Sequence, residues 1–226
     1  MPRNTRLATL ALGLAGCVFG LFLAALSTTA HAASLPDPAI DVAASGKGRQ
    51  TAVFAGGCFW CTEAVFEQLA GVHSVVSGYS GGDKRDALYP QVSAGVTNHA
   101  ESIQINFDPG KITYGQLLKV FFGAAHDPTT LNYQGPDHGR QYRSAIFYSD
   151  DEQKRVADAY IKQLDEAKVF HHRIVTEVKE LKAFYAAEEY HQDFVVRNPS
   201  HGYVVVNALP KIAKVKKEFP ALVKKK

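Results

Sequence analysis

Residues 51–63 read Thr51-Ala52-Val53-Phe54-Ala55-Gly56-Gly57-Cys58-Phe59-Trp60-Cys61-Thr62-Glu63. Thr51–Ala55 is a short apolar run, the signature of a buried strand. Gly56-Gly57 lets the backbone turn sharply. Cys58 to Leu69 then reads as a helix, with Ala64, Val65 and Leu69 on one face and Cys61 one turn earlier. Gly71 is its stop. A Cys-x-x-Cys therefore stands at a strand-to-helix junction. Unpaired N–H groups at a helix start favour an anion, so a Cys58 thiolate is expected to be stabilised there. Cys61, one turn on, is close enough to attack an oxidised Cys58.

Outward from this junction, strands and helices interleave. Val72–Tyr79 suggests a second strand, and Ile103, Ile105 and Phe107 alternate with polar neighbours in the period of a half-buried strand. Thr113 with Gln116 is a capping box opening a helix, with Leu117, Phe121 and Ala124 or Ala125 inward; Ser149 with Glu152 is a second box, opening a helix with Val156, Tyr160, Leu164 and Ala167 on one face. A long loop spans 126–141, and loops of that length are usually functional or disordered. Tyr142–Tyr148 and Arg173–Val178 read as strands, Ala186–Val196 as helical, and the remainder as irregular. The pattern predicts an α+β domain: a two-layer sandwich with a central mixed β-sheet, flanking helices and an irregular C-terminal segment.

The chain has 226 residues, 46% hydrophobic and 21% charged, with a net charge of +3. This is ordinary globular composition, and the charge is too small to argue for nucleic acid. The first 32 residues read as an export signal: Arg3 and Arg6, an apolar run from Leu7 to Leu26, and Ala30-His31-Ala32 as a cleavage pattern. Two alternatives compete with cleavage, namely lipidation at Cys17 or an uncleaved anchor. All three place the folded domain outside the cytoplasm, in the periplasm or cell envelope. Residues 33–50 read as a linker and 51–226 as the domain. The only methionine is Met1.

Three chemistries suit Cys58 and Cys61: a static disulfide, half of a zinc site, or thiol redox catalysis. With Cys17 removed in the signal, a site with three or four cysteine ligands is impossible, and no metal is expected. Redox chemistry is favoured. The segment around Gly-Cys-Phe-Trp resembles the signature of the A-class peptide methionine sulfoxide reductases, and the resemblance runs from Thr51 to about Pro220. It is supported by Gly78-Tyr79-Ser80-Gly81-Gly82, His99-Ala100-Glu101, His126-Asp127-Pro128, the run from Asp137 to Ser144, and the run from Ala187 to Asp193, all in the family's order.

The resemblance implies reduction of methionine-S-sulfoxide, free or in proteins. Cys58 would be the nucleophile and Glu101 the proton donor. Tyr89 and Tyr142 would be phenol donors to the sulfoxide oxygen, and Asp137 would help organise the site. Phe59 and Trp60 would hold the S-methyl group. Glu63 and Tyr79 read as structural, His191 as a hydrogen-bonding histidine and His171-His172 as a solvated pair. Many family members have Gly where Cys61 stands and a resolving cysteine in a C-terminal tail. This tail has none, so Cys61 is the only thiol of the mature chain that can resolve Cys58. No prosthetic cofactor is expected. A thioredoxin-fold dithiol is the expected reductant, and a monomer the expected state. The rival reading is a thioredoxin-like disulfide oxidoreductase, which also uses Cys-x-x-Cys at a helix start but does not need Glu101.

Overall fold

The computed structural model describes residues 35–42 and 48–225. The expected signal, its cleavage site and Cys17 lie outside the described residues. Among those described, no helix is long and apolar enough to cross a membrane.

The strands are β1 (Gln50–Gly56), β2 (Val72–Ser80), β3 (Ala100–Phe107), β4 (Tyr133–Gln134), β5 (Asp137–His138), β6 (Ser144–Tyr148), β7 (Glu177–Glu180) and β8 (Phe184–Ala186). The helices are α1 (Phe59–Phe66), α2 (Tyr89–Ser93), α3 (Tyr114–Val120), α4 (Asp151–Glu166), α5 (Phe194–Arg197) and α6 (Leu209–Glu218). The main sheet runs β7-β6-β1-β3-β2-β8. β6 and β7 are parallel and the other neighbours antiparallel, so the sheet is mixed, as expected. β4 and β5 form a small hairpin inside the long 126–141 loop.

Strand alternation sorts the core. Phe54, Tyr79, Ile103, Ile105, Phe107 and Ile146 face the helix layer and pack with α1, α3 and α4. Val53, Ala55, Ala145 and Phe147 face the other side, where Leu181 and Phe184 cover them. Both faces of β1 are therefore buried, which is why its sequence is apolar without a break. Glu101 shares the parity of Ile103 and Ile105, so its carboxyl points into the helix layer.

Several expectations need correction. Residues 35–42 of the expected linker dock on the domain. Tyr160 donates to the Pro36 carbonyl at 2.8 Å, Lys119 pairs with Asp37 at 2.7 Å, and the Gly115 N–H donates to Asp41 at 2.7 Å. Asp41 also accepts from the Thr113 hydroxyl, adding a carboxylate to the start of α3. The Thr113–Gln116 capping box is formed. The second cap is Asp150, not Ser149: its side chain accepts from the Gln153 N–H at 2.8 Å. Ala167 is an exposed C-cap and not part of the inward face.

Residues 186–196 do not form one helix. Asp193 has a left-handed backbone (φ 52°), and the Gln192 amide bridges the Ser77 and Ala187 carbonyls, which breaks the run. Conversely, the C-terminal segment expected to be irregular contains α6, with Pro210 in its first turn and Val215 buried.

Candidate active site

The site is built around the turn from β1 into α1. Gly57 has φ +86°, and a Cβ there would lie 2.6 Å from the Gln134 side chain. Glycine is required on both counts. Cys58 follows as the N-cap of α1, and its carbonyl accepts from Cys61 N–H at 3.1 Å and Thr62 N–H at 3.3 Å. Both thiols are free and buried.

The helix-start position of Cys58 is the expected one, but its charge balance is not. Burial pushes the Cys58 thiol well up, and the hydrogen bond with Cys61 and the nearby Glu101 add to this. Cys61 is shifted down, first by its bond to Cys58 and then by Lys211 and Tyr203, against burial. Cys58 is 8% exposed, and desolvation there outweighs the attraction of the helix start. Cys58 accordingly rests as a thiol. The first N–H of α1 is also already engaged: Phe59 N–H donates to Glu101 Oε2 at 3.0 Å.

Glu101 is 2% exposed, and burial raises its carboxyl to about 8, against the opposing Phe59 N–H. It is a neutral acid at pH 7, held beside the turn that carries Cys58. Both expected phenols sit within charge reach of Glu101 and Cys58, and burial raises both. They are therefore hydrogen-bond donors at any physiological pH. Tyr89 opens α2; its N–H donates to Glu188 Oε1 at 3.0 Å, and its ring lies 4.3 Å from that of His191. Tyr142 ends a single 3₁₀ turn over Arg140–Tyr142.

Phe59 is buried among the rings of Tyr79 and His191. Trp60 is half-buried and stacks on Phe194 at 3.7 Å. Its Nε1–H donates to His191 Nδ1 at 3.1 Å. An indole only donates, so His191 carries its proton on Nε2. Asp137, on β5, accepts from the Tyr203 hydroxyl at 2.5 Å, and that hydroxyl lies 3.9 Å from Cys61 Sγ.

The structure thus brings together all eight residues singled out from the sequence. It adds Tyr203 and Glu188, which the sequence reading missed. Glu188 accepts from both Tyr79 OH (2.9 Å) and Tyr89 N–H (3.0 Å) and so couples β2 to α2. Neither has a local signal, because each acts across more than 60 residues. His171 and His172 are exposed. Among the described residues, no group of three or more His, Cys, Asp or Glu could hold a metal ion.

An acid, a thiol and two phenols around one helix start can deliver a nucleophile and a proton to opposite ends of a polarised S–O bond. Residues 50–222 match the family model described as peptide methionine sulfoxide reductase. The peptide methionine sulfoxide reductase MsrA 2 of Synechocystis sp. is 55% identical over 188 residues, covering 82% of this chain and 88% of that one. The MsrA 2 of Mesorhizobium japonicum is 55% identical over 179 residues, covering 79% and 92%. Among solved structures, reduced Mxr1 from Saccharomyces cerevisiae superposes with a TM-score of 0.62 at 34% identity, covering 68% of this chain and 87% of that one. Methionine sulfoxide reductase A of Corynebacterium diphtheriae gives 0.60 at 30% identity, covering 70% and 79%.

Proposed function

This chain belongs to the peptide methionine sulfoxide reductase family, and we propose that it reduces methionine-S-sulfoxide, free or in proteins, through Cys58, Glu101 and Cys61. The observation that carries the residue assignment is the Phe59 N–H bond to Glu101, which ties a protonated carboxyl to the turn bearing the thiol.

Phe59 and Trp60 hold the S-methyl group against aromatic faces. Tyr89 and Tyr142 donate hydrogen bonds to the sulfoxide oxygen and draw charge away from the sulfur. Cys58 Sγ attacks that sulfur. Glu101 gives its proton to the oxygen, and the thiol's proton replaces the one Glu101 gives up. The protonated oxygen then passes as hydroxyl from the substrate sulfur to Cys58 Sγ while the transient bond between the two sulfurs breaks, its electron pair staying with the substrate sulfur, so methionine departs and Cys58 is left as a sulfenic acid. Cys61 Sγ then attacks the Cys58 sulfur and expels water. Over one cycle, methionine sulfoxide and two thiols become methionine, a Cys58–Cys61 disulfide and water. Asp137 orients Tyr203 at the edge of the site.

A protein dithiol of the thioredoxin kind resets the disulfide by exchange. The enzyme acts as an exported monomer in the periplasm or cell envelope. Support for export comes from Arg3, Arg6, the apolar run and Ala30-His31-Ala32. Support for a monomer comes from a site assembled within one chain.

The test uses purified protein, dithiothreitol and separated sulfoxide epimers. Methionine is expected from the S epimer, with Cys61→Ser still releasing one equivalent in a single turnover. Absence of methionine from the S epimer, or thioredoxin-driven turnover left unchanged in Cys61→Ser, overturns the scheme.

A further inference from the structure

The two sulfurs can also be reached from a side that the oxygen-transfer chemistry does not use. A cleft of about 320 Å³ opens on Cys58 and Cys61 between the Gly135-Pro136 turn and a helical face carrying Tyr203, Lys211 and Lys214. Among the described residues, Phe59, Trp60, Tyr89, Glu101 and Tyr142 do not line it. The cleft holds both thiols and two ammonium groups, and its two acids are already bonded: Asp137 accepts from Tyr203, and Asp127 accepts from the Thr129 N–H and hydroxyl.

Its two sulfurs are not equivalent. Cys58 is 8% exposed and Cys61 1%. Cys61 has Lys211 as a nearby cation and the Tyr203 hydroxyl 3.9 Å away, whereas Cys58 has the nearby Glu101, which does not line the cleft. In a disulfide, the sulfur better supported as a thiolate leaves, and its partner is the one attacked. Lysines at the mouth raise the local concentration of anions, including thiolates and acidic protein surfaces.

We propose that this cleft is the exchange side of the enzyme, where the thiolate of an acidic dithiol protein attacks Cys58 Sγ while Cys61 leaves toward Lys211 and Tyr203. The inference rests on the Cys58–Cys61 disulfide proposed above. In the first step the incoming thiolate forms a bond to Cys58 Sγ, the Cys58–Cys61 bond breaks, and its electron pair goes to Cys61. In the second step the reductant's other thiol passes its proton to the Cys61 thiolate and attacks the reductant sulfur of the mixed disulfide. Cys58 leaves and takes a proton from water. The enzyme regains two thiols and the reductant carries the disulfide. The oxygen-transfer side and the exchange side thus meet at one sulfur, approached from two directions.

The experiment oxidises the full chain with methionine-S-sulfoxide and then adds a thioredoxin whose second active-site cysteine is serine. After rapid acid quenching and alkylation, fragment mass spectra locate the mixed disulfide. Linkage at Cys58 with alkylated Cys61 is the expected result; linkage at Cys61 overturns the proposal and leaves the disulfide reading intact. If the chain loses no pair of hydrogens on exposure to sulfoxide, the disulfide reading itself falls, and this proposal with it. In a second arm, Lys214→Glu is expected to slow exchange with thioredoxin about fivefold or more at low salt, with the gap closing near 1 M salt, where screening reaches about 3 Å. Single-turnover methionine release in the same samples, without thioredoxin, is the internal reference for folding. An exchange rate unchanged by Lys214→Glu at low salt overturns the assignment of the cleft.

Discussion

Glu101 and Glu63 make an instructive pair. Both touch α1, both are buried, and burial pushes both carboxyls up to about 8. At the first turn, Glu101 is anchored by the Phe59 N–H and surrounded by Cys58 and two phenols. Lower on the helix, Glu63 lies beside Glu67 and Asp193, and its Oε1 is buried without a hydrogen-bond partner. Glu67 is itself raised to about 7, by burial and by Asp193. The two acids are equal as proton holders and differ in their neighbours: only Glu101 stands beside Cys58 and the two phenols. A raised pKa marks burial; the neighbours decide whether it is used.

Exchanging the two carboxyls for amides is the sharpest way to break this contrast. Glu101→Gln keeps an acceptor for Phe59 N–H but has no transferable proton. Its kcat/KM for methionine-S-sulfoxide is expected to fall by about 10²–10⁴, with Cys58 still open to alkylation. Disulfide-exchange activity that survives intact while sulfoxide reduction was never present would instead favour the oxidoreductase reading. Glu63→Gln is expected to stay within about twofold of the parent, and a comparable loss there would erase the distinction.

Tyr142→Phe comes next. One preorganised donor is worth about 10²–10³ in rate, and Tyr89 remains to share the oxygen, so the loss is expected near the lower bound in single-turnover assays.

The pH profile sharpens the same point with a smaller effect. Rate should fall as pH rises through about 8, where Glu101 loses its proton. Glu63→Gln should leave that midpoint in place, and a midpoint that moves with Glu63 would assign the titration to the wrong acid.

Stability is the smallest effect. Folded Glu63 keeps a proton that the unfolded chain releases near 4.5, so its contribution is complete below that pH and is lost as pH rises through about 8. Glu63→Gln should therefore raise Tm at pH 9, by about 2–4 °C for each kcal/mol recovered in a chain of this size. It should change little at pH 5. A gain of equal size at both pH values would show that charge is not the cause.

The parts of the fold legible in the sequence are those governed by neighbours a few residues apart. The β1 run, the Gly56-Gly57 turn and the Thr113–Gln116 box each follow from local backbone rules, and the structure contains all three. The misread parts depend on distant partners. Residues 186–196 have apolar spacing that suits a helix, yet His191 is claimed by Trp60 and Gln192 by the β2 edge. Residues 35–42 look like a linker because they are small and contain proline, and only α3 and α4 supply the donors and acceptors that hold them. The α6 helix went unread because its apolar face is narrow and much of the rest is lysine.

The amino-acid order alone determined that a Cys-x-x-Cys opens a helix after a glycine turn, because strand, turn and helix start are set by residues in direct succession. It also determined that Cys61 is the one thiol near enough in sequence to meet Cys58. The folded packing decided whether that first sulfur rests as thiol or thiolate, which buried carboxyl stands beside it, and that Tyr203 stands beside the second sulfur. Desolvation and charge contacts act through space, and the groups that supply them here come from β3, α2, the β4–β5 hairpin and the C-terminal helices, far apart along the chain.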